Sequence, residues 1–94
     1  MAEEKERGHF LISGKVQGVC FRMDTRDKAE QLGLTGWVRN RSDGKVEVMA
    51  EGWQNDLKEF RKWCGKGPAM AYVTGVDEEY SHATGEFDGF RIVY

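Results

Sequence analysis

This sequence has little of what most often signals a special chemistry. It holds two cysteines, Cys20 and Cys64, in 94 residues. Two thiols are too few for a structural zinc site, and set so far apart they are expected to be free rather than bridged. The two histidines, His9 and His82, lack ligand-like spacing and are expected to be non-catalytic. A single proline, Pro68 in the turn-like "GKGPA", excludes a Pro-rich linker, and no repeat or low-complexity run occurs. No apolar stretch is long enough for a signal peptide in "MAEEKERGHF" or for a membrane span further on. The expectation is a cytoplasmic protein with no membrane partner. A basic excess is missing too. The formal net charge of −2 argues against a general nucleic-acid binder, so any anion site has to be local.

What is present suits one globular domain with a modest core, at 39% hydrophobic and 32% charged residues. Residues 1–8 are expected as a charged, frayed lead-in and residues 9–94 as the domain. His9 to Ser13 is a short apolar strand candidate. From Phe21 to Leu32, Phe21, Thr25, Ala29 and Leu32 fall on one helical face, with Gly33 placed as the stop. Thr35 to Arg41 and Lys45 to Glu51 predict a hairpin across "SDG". In its second strand Val46, Val48 and Ala50 alternate with Glu47, Met49 and Glu51, which predicts one buried and one wet face. Asn55 is a candidate N-cap for a second helix with Leu57, Phe60 and Cys64 as its stripe. Ala71 to Tyr80 and Phe90 to Tyr94 read as strands. The order β-α-β-β-α-β plus a terminal strand predicts an α+β, ferredoxin-like sandwich: an antiparallel sheet with two helices on one face.

That topology brings the loop "GKVQGVCFR" (14–22) and Asn40 to the same edge of the sheet. A right-handed crossover makes the first two strands parallel, and with a third strand between them their ends lie about 10 Å apart. Arg22, on the first turn of the helix, is long enough to reach across. Loop N–H groups leading into a helix start can cradle phosphate. A G-x-x-x-G turn can also be purely structural, and the spacing is not that of Walker A. Cys20 and Arg26 match C-x5-R, but the intervening "FRMDT" has no glycine and lies on the helical stripe, so that match is coincidental. Asn40 can be a plain polar residue before a hairpin; a carboxamide also suits water positioning, since it donates and accepts. Trp37, Trp53 and Trp63 read as core or covering aromatics. A non-catalytic anion- or RNA-binding module of the same fold stays open at this point, although Glu47 and Glu51 on the wet face disfavour RNA.

"GKVQGVCFR", "LGLTGWVRNRSDGKVEVMAEG", "GPAMAYV" and the closing "FRIVY" together resemble the acylphosphatase family in order, from about His9 to Tyr94. The resemblance implies hydrolysis of carboxyl-phosphate anhydrides to a carboxylate and inorganic phosphate, without metal or cofactor. It matches Arg22 to the family's phosphate-binding arginine and Asn40 to its water-orienting asparagine. The backbone of Lys15, Val16, Gln17, Gly18, Val19, Cys20 and Phe21 matches its phosphate loop. The implied partners are a small-molecule acyl phosphate and inorganic phosphate, the latter as product and competitive inhibitor, with no nucleic acid, and the expected state is a monomer. Similar domains occur inside larger carbamoyl-transfer proteins; a stand-alone enzyme is the expectation here. If the last strand hairpins back to this edge, the Tyr94 carboxylate is placed to bond Arg22.

Overall fold

The computed structural model describes residues 4–94. The elements in chain order are β1 (Lys5–Lys15), α1 (Phe21–Gln31), β2 (Thr35–Asn40), β3 (Val46–Trp53), α2 (Gln54–Lys66), β4 (Tyr72–His82) and β5 (Phe90–Ile92). They form a five-stranded sheet in the order β4-β1-β3-β2-β5. Both helices pack on one face, giving the ferredoxin-like sandwich. No described helix is long and apolar enough to cross a membrane.

Local signals account for most of the elements. In β3, Val46, Val48 and Ala50 are fully buried and meet Phe10 and Ile12 of β1, Val38 of β2, Ala29 of α1, and Leu57 and Phe60 of α2 in a single core. Helix α1 ends where Gly33 turns to φ 72°. There Gly33 N–H donates to Glu30 and Leu34 N–H donates to Ala29, the paired bonds that close a helix on a left-handed residue. The β2–β3 turn closes with Gly44 N–H to the Arg41 carbonyl, while the Asp43 carboxylate accepts from Lys45 N–H.

Four expectations need correction. First, β1 starts at Lys5, so Lys5 to Gly8 are paired with β3 residues Trp53 to Ala50 rather than frayed. This strand lies between two partners, which hold its polar start in place; residues 1–3 of the expected lead-in lie outside the described residues. Second, α2 begins at Gln54 with Trp53 in the cap position, and Asn55 sits within its first turn. The chain leaves β3 straight into the helix, and Gln54 N–H finds the Glu4 carbonyl at 3.0 Å instead of a side-chain cap. Third, the sheet is not antiparallel throughout, and the exception is β5. It pairs parallel with β2 at the far edge, so the sheet is mixed. The crossing segment, residues 83–89, is tied down on the way: Thr84 and Gly85 N–H groups donate to Glu51 at 2.9–3.1 Å.

The fourth correction concerns the face without helices. Glu47 and Glu51 point there as the alternation predicts, but they are only 7% and 4% exposed. Each is enclosed by its partners. Glu47 accepts from His9 Nε2 at 2.6 Å and Arg39 Nε at 2.7 Å. Glu51 accepts from Arg7 Nε at 2.7 Å as well as from residues 84 and 85. A buried carboxylate is tolerable only when it is paired and hydrogen-bonded in this way. Trp63 packs against the core and Trp37 lies under Arg39, both as covering aromatics. Trp53 is half exposed beneath Lys5.

Candidate active site

At the end of β1 the chain must leave the sheet, and one glycine makes that possible. The β1–β4 register shifts between Ser13 and Gly14, where Gly14 adopts φ 124°; a Cβ there would overlap the Tyr72 carbonyl oxygen. Val16 then plugs into the core at 1% exposure, and Phe21 does so at the other end of the loop at 2%. Between these anchors Gly18 has φ 76° and Cys20 has φ 62°, ψ 21°. Among the described residues Cys20 is the one non-glycine with positive φ. A loop with two left-handed residues so close together can gather its N–H groups on one concave side, the geometry that holds an anion.

Cys20 is also the N-cap of α1, and no side chain caps that end. The first N–H groups of the helix are thus left without a side-chain partner where Cys20, Phe21, Arg22 and Met23 line a cleft, at the positive end of the helix dipole. Arg22 rises from this first turn. No carboxylate among the described residues pairs with it; its guanidinium lies over the Tyr94 ring, 5.3 Å from the centroid. Tyr94 does reach this edge, since β5 runs parallel to β2, but the contact it makes with Arg22 is through its ring, and no ion pair joins its carboxylate to Arg22 among the described residues.

Asn40 closes β2 on the helix-facing side. Its Oδ1 is buried and has no hydrogen-bond partner. Arg22, Asn40, Gly18 and Cys20 line one cleft of about 360 Å³, whose other wall is Met23, Ile92 and Tyr94. Val16 and Phe21 also line it. Of the loop residues expected here, Lys15, Gln17 and Val19 do not line the cleft: Lys15 ends β1 in the open, and Val19 packs on the core. The Gln17 side chain instead reaches the β2–β3 hairpin, where Nε2 donates to the Arg41 carbonyl at 2.7 Å and the Lys45 carbonyl at 3.0 Å. The sequence points only to the backbone of Gln17, and no motif in it marks Met23 and Ile92 as an apolar wall.

The C-x5-R pair does not converge: Arg26 pairs with neighbouring Asp27 at 3.2 Å, and Cys20 is exposed at the helix cap. Cys64 is inert in the core, where burial pushes its thiol pKa far up. The acids nearest the hairpin are already spent. Burial pushes the Glu47 carboxyl up, but the hydrogen bonds from His9 and Arg39 outweigh it and hold it below the ordinary value. Arg41 binds Asp43 at 3.1 Å, and the Arg41 hydrogen bond holds that carboxyl low as well. A larger cavity of about 570 Å³ lies at the opposite end of the sheet, between Trp53, Phe87 and Thr84. Its one buried acid, Glu51, is fully occupied, so size does not decide which cavity is the site.

The fold and this edge of the sheet define a class: a small ferredoxin-like domain with an oxyanion-shaped backbone loop beside a free arginine and an unpartnered carboxamide. The acylphosphatase family model matches residues 8–92. The acylphosphatase of Pelotomaculum thermopropionicum is 49% identical over 90 residues, covering 96% of this chain and 98% of the relative. Among solved structures, the acylphosphatase of Bacillus subtilis superposes with a TM-score of 0.92 at 36% identity, covering 95% of this chain and 99% of the other. That of Coxiella burnetii gives 0.90 at 40% identity, covering 96% and 94%. The chain belongs to the acylphosphatase family.

Proposed function

We propose that this protein hydrolyses acyl phosphates to a carboxylate and inorganic phosphate, with the phosphoryl group held in the 15–21 loop. Arg22 forks onto two phosphoryl oxygens, a geometry for which guanidinium is suited. The loop N–H groups take up the remaining negative charge as an oxyanion hole does. Asn40 holds the attacking water: its Oδ1 accepts one water O–H and so turns the oxygen lone pair toward phosphorus, while the proton the water loses passes to a phosphoryl oxygen and leaves with the inorganic phosphate as the acyl carboxylate departs. The acyl group rests against Met23, Ile92 and Tyr94.

The observation that carries this reading is the unpartnered, buried Oδ1 of Asn40 in the same cleft as Arg22. Leaving such an atom without a partner costs on the order of 1–3 kcal/mol. A water held at that atom supplies the missing donor and removes that cost. The leaving carboxylate has a conjugate-acid pKa near ~4, so it departs without a general acid. A loose phosphoryl transition state asks mainly for positioning and charge stabilisation, which an arginine, a loop and a carboxamide supply. Under this reading the reaction uses no metal or cofactor, the protein works as a cytoplasmic monomer, nucleic acid is not a partner, and inorganic phosphate inhibits competitively.

The test is benzoyl phosphate hydrolysis followed by ultraviolet absorbance in excess EDTA. Turnover that survives the chelator and is competitively blocked by inorganic phosphate is the expected result. No turnover above buffer would leave an anion-binding module as the better description.

A further inference from the structure

The cradle and the water-holding amide stand on elements that do not touch through the sheet. The cradle follows β1, Asn40 ends β2, and β3 lies between those strands. Something must set the distance between phosphorus and water. Among the described hydrogen bonds, the two from Gln17 Nε2 are the ones that join the loop to the hairpin.

The chemistry of this junction is specific. The Arg41 carbonyl already accepts from Gly44 N–H at 3.2 Å, and the Lys45 carbonyl accepts from Arg41 N–H at 2.8 Å. Each has one lone pair left, and the Gln17 amide brings two N–H donors to those two acceptors. A carboxylate would face two carbonyls with no proton to give, and asparagine is one methylene short. Arg41 is covalently next to Asn40, so the contact ends one peptide from the catalytic amide. At the other end, Gln17 sits between the core anchor Val16 and the left-handed Gly18.

We propose that Gln17 is a positioning residue which acts through Asn40: its side chain fixes the separation between the phosphoryl cradle and the water that attacks it. This rests on the role given above to Asn40. The Gln17 side chain, spent on those two carbonyls, touches neither substrate nor water. Misplacement of a reacting group by ~1 Å can cost about a hundredfold in rate, so losing the brace should lower kcat by roughly ten- to a hundredfold. Phosphate affinity should hold, because the cradle keeps its own anchors at Val16 and Phe21.

The experiment is a double-mutant cycle on benzoyl phosphate with Gln17→Met, which keeps the side chain's length and removes its donors, and Asn40→Ala. Inorganic phosphate inhibition is measured on every variant, and Gln17→Asn runs in parallel. Expected are a loss of roughly ten- to a hundredfold in kcat for Gln17→Met, a comparable loss for Gln17→Asn, and phosphate inhibition constants within about threefold of the parent. In the Asn40→Ala background, Gln17→Met should cost less than about twofold more, since residues that act as a unit are not additive. Losses that multiply, phosphate affinity falling in step with kcat, or full activity in Gln17→Asn would overturn the inference while leaving the role of Asn40 intact. Near-normal turnover in Asn40→Ala alone would overturn both.

Discussion

Replacing Glu51 with glutamine should separate stability from catalysis. The carboxylate lies at the end of the sheet away from the Arg22 cleft and accepts from Arg7 Nε, Thr84 N and Oγ1, and Gly85 N, at 2.7 to 3.1 Å. Burial pushes its pKa up, but the backbone N–H groups of Thr84 and Gly85 with the Arg7 and Thr84 side chains outweigh it and bring the pKa from 4.5 to about 2. At about 1.4 kcal/mol for each unit, the ionised group contributes on the order of 3 kcal/mol to folding at neutral pH. Glutamine keeps one acceptor oxygen and turns its amide N–H groups toward donors, so most of that contribution goes. A depressed folded-state pKa gives stability that is complete above the unfolded value near 4.5 and drains away as pH falls toward 2. Urea unfolding of the parent and Glu51→Gln should therefore differ by about 3 kcal/mol at pH 7, with the gap closing between pH 4.5 and 2.5. In a domain this size that corresponds to a Tm lower by roughly 10–20 °C. Turnover at 25 °C, where both remain folded, should be unchanged. A gap under about 1 kcal/mol at pH 7, or one that does not narrow on acidification, would refute the reasoning.

Arg22→Ala should lose roughly a thousandfold or more in kcat/KM on benzoyl phosphate, as for other arginines that stabilise phosphoryl transfer. Asn40→Ala should lose about a hundred- to a thousandfold in kcat and still be inhibited by inorganic phosphate at near-parental concentrations; a parallel loss of inhibition would remove its assigned role. Tyr94→Ala takes away the ring under Arg22, an exposed contact worth ~0.5–1 kcal/mol, and a wall for the acyl group. KM for benzoyl phosphate should rise about two- to fivefold, more than for acetyl phosphate; equal effects on the two substrates would deny the wall any part in acyl binding. In the central part of the fold, Gly36→Ala puts a methyl at φ 144° into overlap with the Met49 carbonyl oxygen. Equilibrium unfolding should show a loss of at least about 2 kcal/mol, with a neutral outcome showing that β2 and β3 can separate locally.

What could be read from the sequence was whatever neighbours in the chain decide. The buried stripe of α1 and its stop at Gly33 are local, and so is the inward phase of Val46, Val48 and Ala50. Arg22 and Asn40 were legible because element order alone brings their strand ends to one edge. Long-range partners decided the rest. Glu47 and Glu51 follow the expected alternation, but their burial depends on Arg7, His9 and Thr84, which no local pattern announces. The path of residues 83–89 over Glu51, and with it the place of β5, is decided 33 and 34 residues away in the chain. Gln17 reads as one more loop residue until its acceptors are known. They are main-chain carbonyls 24 and 28 residues on, invisible to any motif of side chains.

The outer strand β4 runs for 11 residues, most of them exposed, and its outer side has no partner in the sheet. A long open edge of this kind is a template on which another chain can add and stack. Here the template repels its own copy. Pairing two such edges antiparallel about Glu78 would set Glu78 against Glu78 and Asp77 against Glu79, like charges directly opposed along the middle of the seam. Among the described residues only one of these acids, Glu78, is taken up within the chain, by Arg61. The acidic run at 77–79 thus works against fibre-like self-assembly, a defence written on the rim farthest from β5.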